Sequence, residues 1–459
     1  MALTEHVGID QINGPFILLG RIGGVGYDEI VEVIDQTGTA RTGRVILVDK
    51  NATLVQVFSG TRDLVPNGTR VRFAGKGLEV SLSPSIIGRV FNGLGEARDG
   101  CGKVMGGIRR NVNGLPINPM ARSYPRDFIH TGISSVDVLI TLIRGQKLPV
   151  FSGNGLYHNS LAVQIATQSR LVGEEKFAVV FAGIGIKHDD AAFFQRELSG
   201  GGRTSNIVMY LNMADDPVIE RIATPRFALA TAEYLAFDLG MHVLVIMTDM
   251  TNYCEALREL SVARGEVPSR KGYPAYLYSD LASLYERAGV IGKSSGSVTQ
   301  IPILSMPNDD ITHPVPDLTG FITEGQIVLS RDLTNRGMYP AIDILTSLSR
   351  LMKDGIGKGF TREDHPRLAS QLFASYSRVQ EIRALSGVVG EDELSENDKK
   401  YLQFGRAFEK NFLLQGKDED REISESLDKG WELLSTLPRM DLTRVSSEDI
   451  KKHILKRKW

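Results

Sequence analysis

The sequence has little that would tie the chain to a membrane, an oxidising compartment or nucleic acid. Its two cysteines, Cys101 and Cys254, lack the spacing of a metal site, and so few among 459 residues indicate a reducing cytosol. The longest apolar runs, such as 243–247, are far shorter than the roughly 18 residues that a membrane-spanning helix needs. The formal net charge of −2 gives no overall field that would attract nucleic acid or anionic lipid. We therefore expect a cytoplasmic protein that reaches a membrane only through partners.

A second absence lies within 148–160, LPVFSGNGLYHNS, where an apolar strand runs into a glycine-containing loop and a helical pattern follows. A phosphate-binding loop at such a place has the pattern G-x-x-x-x-G-K-[ST], in which the lysine contacts the β- and γ-phosphates and the hydroxyl holds Mg²⁺. Here Ser152 and Tyr157 replace the two glycines. His158 replaces the lysine and Asn159 the hydroxyl residue, which indicates a nucleotide-binding fold without its own catalytic groups. This degenerate loop comprises Ser152, Gly153, Asn154, Gly155, Tyr157, His158 and Asn159.

The first part of the chain, 1–83, has the pattern of a small all-β domain. Six short runs rich in Val, Ile, Leu and Phe are separated by Gly, Asp, Asn and Pro-Asn-Gly, which is typical of strands joined by turns. We expect these strands to close into a barrel, because closure removes the unpaired edges of a sheet. The runs are PFILLG, EIVEVID, GRVILVD, LVQVFSG, RVRFAG and LEVSLS.

The remainder divides into an α/β region, 84–365, and a helical region, 366–459. After a connector rich in Gly, Pro, Asn and Arg, near-continuous apolar runs alternate with helical patterns, which predicts a parallel sheet covered by helices on both faces. Ligands of such sheets bind at the carboxyl ends of the strands, where the degenerate loop lies. In the last region apolar residues recur three or four positions apart, which predicts a helical bundle. The predicted sheet strands are LPVFSG, FAVVFAGIG, NIVMYLN, VLVIMTDM and VTQIPILSM.

Few other residues are placed for chemistry. Asp249, after VLVIMT, could hold Mg²⁺ through a water or cap the following helix, and the sequence leaves both possibilities open. The turn after FAVVFAGIG has Ile186 where a P-loop ATPase of this architecture carries a catalytic carboxylate, and Asp189 and Asp190 are better placed to begin a helix. The segment 308–314, NDDITHP, could bind a cation, although a polar turn is favoured. The eight histidines show no metal-ligand spacing, so we expect no metal site.

Arg350 ends the run YPAIDILTSLSR and has two interpretations. On spacing alone, a surface charge is favoured. In a ring of related subunits, such an arginine can instead reach the γ-phosphate bound by a neighbour and neutralise charge that develops in the transition state. An arginine finger of this kind raises the rate by about 10³–10⁵.

The segment 340–349, PAIDILTSLS, fits the signature shared by the nucleotide-binding subunits of rotary ATPases, and Arg350 follows it directly. Longer segments closely resemble the B subunits of the V/A-type (archaeal and vacuolar) ATPases and ATP synthases. The resemblance covers essentially the whole chain and is strongest in 126–405. The segments that carry it are 144–156, 242–259, 276–289, 296–327 and 390–404.

This resemblance implies the fold class α/β, with a RecA-like central domain of the P-loop type between an N-terminal β-barrel and a C-terminal helical bundle. It implies a non-catalytic, regulatory subunit that alternates with catalytic A subunits in a three-plus-three ring and couples ATP synthesis or hydrolysis to proton or sodium transport. ATP or ADP with Mg²⁺ would bind at the interface with the catalytic subunit, and no cofactor is assigned to this chain alone. The other implied partners are a central rotor stalk and a peripheral stalk, without nucleic acid. Contact with the cytoplasmic face of a membrane would be made through the ion-translocating sector.

The resemblance also implies roles for particular residues. Arg350 corresponds to the arginine that acts in trans, and Ser347 and Ser349 lie beside it at the nucleotide interface. The rotor-facing loop is acidic, and Ser395 and Asp398 have the spacing of a capping pair for the helix that follows. This loop comprises Glu391, Asp392, Glu393, Leu394, Ser395 and Glu396.

At the degenerate loop the sequence departs from the usual pattern of the family, because Asn154, Tyr157 and Ser160 stand where Ser, Pro and Glu are usual. The large Tyr157 can fill the phosphate space or stack on a partner.

Two other functions are possible for the chain. A self-sufficient RecA-like NTPase would need an intact lysine, Ser/Thr and glutamate, which the chain lacks. A purely structural ring subunit would make no use of Arg350.

Overall fold

The structure is a computed structural model that describes residues 4–171, 176–199, 206–292 and 296–454. Two π-helical turns, Tyr234–Asp238 and Glu409–Leu413, extend the fourth and eleventh α-helices. The β-strands are β1 (Thr4–Val7), β2 (Gln11–Asn13), β3 (Phe16–Gly20), β4 (Ile30–Ile34), β5 (Ala40–Val48), β6 (Ala52–Val57), β7 (Arg70–Phe73), β8 (Glu79–Leu82), β9 (Val90–Asn92), β10 (Ile108–Asn111), β11 (Arg122–Ser123), β12 (Val150–Gly153), β13 (Phe177–Ile186), β14 (Ile207–Met213), β15 (His242–Thr248), β16 (Gly289–Ile291), β17 (Ser297–Met306), β18 (Gly325–Val328) and β19 (Leu348–Ser349). The α-helices are α1 (Ser134–Leu139), α2 (His158–Gln168), α3 (His188–Leu198), α4 (Val218–Glu233), α5 (Met250–Ala263), α6 (Leu277–Tyr285), α7 (Pro314–Ile322), α8 (Arg331–Asn335), α9 (Met352–Gly355), α10 (His365–Val389), α11 (Glu396–Phe408), α12 (Ile423–Leu434) and α13 (Ser447–His453).

The first seven strands form an antiparallel sheet in the order β1-β7-β4-β5-β6-β3-β2. The two outer strands are joined by a short piece of chain that is hydrogen-bonded to both edges. The N–H of Gly8 donates to the carbonyl of Thr69 on one edge, and the N–H of Asp10 donates to the carbonyl of Leu18 on the other, both at 2.9 Å. The segment therefore closes the sheet into the predicted barrel.

The prediction that LEVSLS is a barrel strand is wrong. This run forms β8, which pairs antiparallel with β10 in a separate two-stranded sheet, with Leu82 opposite Ile108. Gly107 permits the close approach, because a Cβ at this position would collide with the backbone of Leu82. The barrel instead includes β1 and β2, whose residues are largely exposed and give no apolar pattern. Alternating hydrophobicity identified a strand but not its partner.

The central sheet has the order β19-β18-β12-β17-β15-β13-β14-β9 and is parallel from β18 to β9. All five predicted strands are present, as β12, β13, β14, β15 and β17. Every residue of β15 is buried, and alternate side chains face two different cores. Leu244 and Ile246 belong to one cluster, whereas Val243 and Val245 belong to the other. The sheet is thus covered on both faces, as the near-continuous apolar runs predicted.

The parallel order brings the carboxyl ends of several strands to one edge of the sheet. Gly153 at the end of β12 is in register with Met306 at the end of β17, and Thr248 at the end of β15 pairs with Ile303 in the last part of β17. This edge therefore carries the degenerate loop after β12, Asp249 after β15 and the turn after β17. It is the edge at which ligands bind in sheets of this type.

The C-terminal part of the chain is the predicted helical bundle, built mainly from α10, α11, α12 and α13. Residues four apart on α11 and its π-turn form an aromatic stack, with 5.7 Å between the ring centroids of Phe404 and Phe408 and 5.1 Å between those of Phe408 and Phe412. Trp431 of α12 is fully buried, and its indole N–H donates to Asp364 at 2.6 Å. In the described ranges no helix combines the length and the apolar character needed to cross a membrane.

Glu409 joins the bundle to the segment that follows α8. Its buried carboxylate accepts hydrogen bonds from Arg383 at 2.7 and 3.0 Å and from Tyr376 at 2.7 Å, and it forms an ion pair with Arg336 at 2.6 Å. Burial raises the pKa of Glu409, but the hydrogen bonds from Arg383, Arg336 and Tyr376 outweigh it and bring the pKa to about 2. The carboxylate therefore stays ionised and links two regions of the chain at neutral pH.

Candidate functional site

The degenerate loop connects the end of β12 to the start of α2. Ser152 is fully buried, and its hydroxyl lies 3.0 Å from Nδ1 of His158 in the first turn of α2. Gly155 has a φ of +79°, a conformation that glycine adopts without strain and that turns the chain into the helix. Burial lowers the pKa of His158, against the opposing effects of Asp249 and Asp190. At neutral pH the residue in the lysine position therefore carries no positive charge.

An ion pair fills the space beside Gly153. The guanidinium of Arg331 donates to the carboxylate of Asp309 at 2.6 and 2.9 Å, and its Nη2 also donates to the carbonyl of Asn154 at 2.9 Å. A Cβ at Gly153 would collide with the Asp309 carboxylate and would lie 2.7 Å from Nη2 of Arg331. The hydrogen bond from Arg331 holds the pKa of Asp309 below its usual value. Side chains of the chain itself thus occupy this side of the loop.

The positions that would bind Mg²⁺ in a catalytic subunit have structural partners. The amide of Asn159 donates to Asp190 at 2.9 Å, and Asp190 lies in the first turn of α3 as the sequence predicted. Asp249 accepts hydrogen bonds from the backbone N–H of Thr251 at 2.8 Å and of Ser305 at 3.1 Å. The helix cap expected for Asp249 is present at the start of α5, and its water-mediated contact with Mg²⁺ stays a prediction. Within the residues that the structure describes, no three His, Cys, Asp or Glu side chains cluster to hold a metal ion.

Tyr157 packs against another tyrosine of its own chain. Its ring, 49% exposed, lies edge-on to Tyr339, with 6.3 Å between the ring centroids. The ammonium group of Lys417 lies 5.4 Å from the centroid of Tyr157 and 5.7 Å from that of Tyr339. The hydroxyl of Tyr339 donates to Gln164 of α2 at 2.9 Å. Lys417 of the C-terminal region thus contacts the loop through the rings of Tyr157 and Tyr339. The sequence did not suggest this arrangement.

Ser347 helps to hold the strand that leads to Arg350. Its side chain is 6% exposed. The hydroxyl accepts a hydrogen bond from the N–H of Val328 at 2.8 Å and donates to the carbonyl of Asp343 at 2.6 Å. Both bonds stay within the chain and tie the 343–347 turn to β18. A contact of this hydroxyl with a neighbour's nucleotide stays a prediction.

Ser349 braces the same segment from its other side. Residues Leu348–Ser349 form β19, which pairs antiparallel with β18 at the edge of the sheet. The hydroxyl of Ser349 donates to the carbonyl of Thr141 at 2.8 Å and accepts from the side-chain amide of Gln146 at 2.9 Å. The backbone N–H of Arg350 donates to the carbonyl of Glu324 at 2.9 Å. The backbone at Arg350 is therefore fixed by β18 and by the body of the domain.

The side chain of Arg350, by contrast, is exposed and makes no ion pair with any part of the chain that the structure describes. It lies between two shallow cavities of about 340 and 220 Å³. Lys353 and Phe373, 41% exposed, line the first cavity, and Phe321, 73% exposed, lines the second. Leu348 beside them is 42% exposed. An unpaired cation among exposed apolar side chains is typical of a surface that contacts another macromolecule.

The acidic loop between α10 and α11 is anchored at its two ends. Glu391 forms an ion pair with Arg406 at 2.6 Å, and Leu394 is buried against the bundle. The side chain of Ser395 accepts a hydrogen bond from the N–H of Asp398 at 3.1 Å, which confirms the predicted cap of α11. The exposed carboxylates of this loop are those of Glu391, Asp392, Glu393 and Glu396.

Sequence reasoning missed the side chains that surround the degenerate loop, chiefly Arg331 and Lys417.

The segment 308–314, NDDITHP, contains the polar turn that the sequence favoured, because Asp310 accepts a hydrogen bond from the N–H of Thr312 at 2.9 Å. The neighbouring Asp309 pairs with Arg331, which is distant in sequence and follows a different strand. No local sequence pattern predicts this ion pair. Asp309 follows β17 and Arg331 follows β18, and the two meet because both strands lie beside β12.

Comparisons with known proteins agree with the order of the three regions. The beta-barrel domain of the ATP synthase alpha/beta family matches 9–75, and the nucleotide-binding domain of the same family matches 132–349. The C-terminal domain of V and A type ATP synthase matches 354–454. These matches confirm the predicted fold class, with a barrel, a nucleotide-binding domain and a C-terminal helical domain in that order.

Similar proteins extend over almost the whole chain. The V-type ATP synthase beta chain of Thermotoga neapolitana is 62% identical over 99% of this chain and 98% of its own length. The B subunit of the A-type ATP synthase of Aeropyrum pernix is 56% identical over the same shares. The solved structure of the ATP synthase subunit NeqB from Nanoarcheaum equitans, 41% identical, covers 92% of this chain and 100% of its own with a TM-score of 0.74. The chain therefore belongs to the ATP synthase alpha/beta family and, within it, to the B subunits, or beta chains, of the V- and A-type ATP synthases.

Proposed function

We propose that this chain is the non-catalytic subunit of a ring in which three copies alternate with three catalytic A subunits, and that Arg350 acts on ATP bound by the neighbour. The observation that carries the proposal is the exposed guanidinium of Arg350, which lies at a braced strand end and pairs with no residue that the structure describes. Its own chain lacks the lysine and hydroxyl that would make a catalytic site at the degenerate loop. Because the chain has no catalytic phosphate loop, the positive charge of Arg350 acts on a phosphate that the neighbouring subunit binds.

The chemistry of this role requires a fixed backbone and a free side chain. Arg350 has both, because its N–H is held by the carbonyl of Glu324, directly before β18, while its side chain is exposed. Ser347 and Ser349 set the position of the segment through their hydrogen bonds. A guanidinium placed against the γ-phosphate neutralises the charge that develops during phosphoryl transfer. ATP or ADP with Mg²⁺ binds at the interface with the catalytic subunit, which supplies the phosphate loop, while the degenerate loop 152–159 holds nucleotide weakly or not at all.

The remaining surfaces have their own partners in this proposal. The acidic loop 391–396 faces the central rotor stalk, and the barrel contacts the peripheral stalk. The complex couples ATP synthesis or hydrolysis to the transport of protons or sodium ions through its ion-translocating sector, at the cytoplasmic face of the membrane. We also propose 1–83, 84–365 and 366–459 as the three domains, with the exception that β8 at the end of the first range packs with the second. No contact with nucleic acid is part of the function.

The alternatives differ in what they require of single residues. A self-sufficient RecA-like NTPase would need a cation and a metal-binding hydroxyl in the degenerate loop, where the structure has a neutral His158 and an Asn159 bonded to Asp190. A purely structural ring subunit would tolerate loss of Arg350. Both alternatives therefore make predictions that the assembled ring can test.

The decisive experiment is Arg350→Ala in a reconstituted ring of this chain with the catalytic subunit. We expect ATP turnover to fall by about 10³-fold or more, because the transition-state charge loses its counterion, while ring assembly persists. Arg350→Lys should recover only part of the rate, since an ammonium lacks the planar fork. Arg70→Ala, which removes an exposed barrel arginine, is the matched control and should leave turnover unchanged. Unchanged turnover in Arg350→Ala would reject the arginine finger in favour of the structural role.

A further inference from the structure

A polar cavity of about 530 Å³ lies between the barrel and the central domain. Three arginines from three elements line it: Arg44 on β5 of the barrel, Arg226 on α4, and Arg264 directly after α5. The 14-residue helix α5 starts beside Asp249 at the nucleotide-binding edge and ends at this cavity. At 1.5 Å per residue, the helix places the cavity about 20 Å from that edge. The cavity is therefore separate from the degenerate loop, and Arg350 is not among the residues that line it.

Two of these arginines carry unsatisfied donors. The Nε atoms of Arg44 and Arg264 are buried and have no hydrogen-bond partner in the described part of the chain. Their ion pairs are long, at 3.4 Å for Arg44 with Asp28 and 3.6 Å for Arg264 with Glu266. By contrast, Arg226 pairs closely with Asp280, at 2.9 Å. These Nε atoms are closed to solvent, but the terminal nitrogens of Arg264 also donate no hydrogen bond to any residue that the structure describes. Because Arg264 lines the cavity, those terminal nitrogens can donate to a molecule that brings acceptors.

The carboxylates of the cavity are better satisfied than the arginines. Asp28 accepts a further hydrogen bond from the side-chain amide of Asn113, and Asp280 accepts one from the hydroxyl of Tyr253. Burial lowers the pKa of Arg44, Asp28 opposes this effect, and repulsion from Arg264 and Arg226 lowers the pKa further. Three carboxylates, those of Asp28, Glu266 and Asp280, balance the three arginines of the lining, so what Arg44 and Arg264 lack is hydrogen-bond acceptors.

We propose that this cavity binds a small phosphate-bearing anion, which bridges Arg44 of the barrel and Arg264 of the central domain. Phosphate oxygens match the planar donor fork of arginine, and such charge-assisted hydrogen bonds are among the strong ones in proteins. The volume is within the range of about 300–1,000 Å³ that is usual for small-molecule sites. The anion can come as inorganic pyrophosphate or as the diphosphate of a nucleotide, for which Tyr27 and Tyr276 at the cavity supply aromatic surface.

The proposal can be tested on the purified full-length chain by isothermal titration with inorganic pyrophosphate and, separately, with ADP in the absence of Mg²⁺. We expect Arg44→Gln and Arg264→Gln each to weaken pyrophosphate binding by about tenfold or more, since each removes charged hydrogen bonds. Arg70→Gln, the same change elsewhere on the barrel, should bind as the unaltered chain does. ADP that binds more tightly than pyrophosphate and is weakened by the same two variants identifies a nucleotide as the source. Weaker binding of ADP identifies the inorganic anion.

Thermal melting curves distinguish a variant that does not bind pyrophosphate from one that does not fold. Pyrophosphate should raise the melting temperature of the unaltered chain and of Arg70→Gln, but not that of a folded Arg264→Gln. Arg44→Lys keeps the charge and loses the planar fork, so it should bind with intermediate affinity. The proposal is overturned if the unaltered chain does not bind pyrophosphate, or if binding is equally strong in Arg44→Gln and Arg264→Gln.

Discussion

Arg331 and Asp309 form a two-pronged ion pair, at 2.6 and 2.9 Å, beside the Cα of Gly153. The same guanidinium donates to the carbonyl of Asn154, so the pair holds the degenerate loop from the side of β17 and β18. A methyl group at this point would meet the Asp309 carboxylate, so any residue larger than glycine requires this ion pair to shift. The loop therefore has a conformation that is set by its own neighbours, in the place where a catalytic subunit would bind phosphate.

This relationship predicts the cost of Gly153→Ala. The new methyl group would displace Asp309 and Arg331, and we expect the free energy of unfolding to fall by about 1 kcal/mol, because a half-exposed ion pair has to shift. In an Asp309→Ala background the same substitution should cost much less, because the obstructing carboxylate is gone. Denaturant unfolding of the four chains of this double-mutant cycle measures the coupling. Equal costs in the two backgrounds would show that Asp309 does not restrict Gly153.

The isolated chain should hydrolyse ATP negligibly. The burial of His158 keeps its imidazole neutral, and Asn159 is bonded to Asp190, so the loop offers neither the cation nor the hydroxyl of a phosphate loop. The steady-state rate of ATP hydrolysis should be measured at micromolar concentrations of the chain, with and without the catalytic subunit. Sustained turnover by the chain alone, after removal of contaminating ATPases, would support the self-sufficient NTPase instead.

Ser349→Ala should slow the assembled ring through the position of Arg350. The hydroxyl joins β19 to Thr141 and Gln146, and its loss leaves the Gln146 amide short of an acceptor, with an expected cost of about 1–3 kcal/mol in unfolding free energy. We expect turnover to fall, but less than in Arg350→Ala, because the guanidinium is still present. Ser370→Ala, in the same cavity as Arg350, is the matched control and should retain turnover. A rate equal to that of the unaltered ring would limit Ser349 to a role in stability.

Glu409→Gln should reveal a pH-dependent contribution to stability. The pKa of Glu409 is about 2 in the folded chain against 4.5 for the free group, so its contribution is present above about pH 4.5 and is lost as the pH falls toward 2. The difference in pKa corresponds to about 3 kcal/mol at neutral pH. Denaturant unfolding from pH 7 down to about pH 3 should show the difference between the unaltered chain and Glu409→Gln shrinking.

Glu381→Gln serves as the control for this pH series. Its carboxylate is 62% exposed and pairs with Arg378 within one helix, so its removal should change stability little at any pH. A difference for Glu409→Gln that stays constant across the same pH range would contradict the assignment of the ionised carboxylate to the folded state.

Local sequence patterns predicted elements well where one periodicity was strong. The run VLVIMT became β15 with every residue buried, and Ser395 caps α11 as its spacing from Asp398 indicated. The pattern failed where the partner of an element mattered, because LEVSLS alternates like a barrel strand but pairs with β10. It also failed for β1, whose polar residues give no alternation although hydrogen bonds hold the strand in the barrel.

The sequence by itself determined the family, the three regions and the loss of the phosphate-loop lysine and hydroxyl, because these depend on residue types at short, fixed spacings. Only the tertiary structure decided that Asp249 caps a helix and that Arg331, Asp309 and Lys417 surround the degenerate loop. It also decided that the arginines between the barrel and the central domain line one cavity. These contacts join residues far apart in the chain. Their geometry depends on how strands and helices pack, which no local pattern encodes.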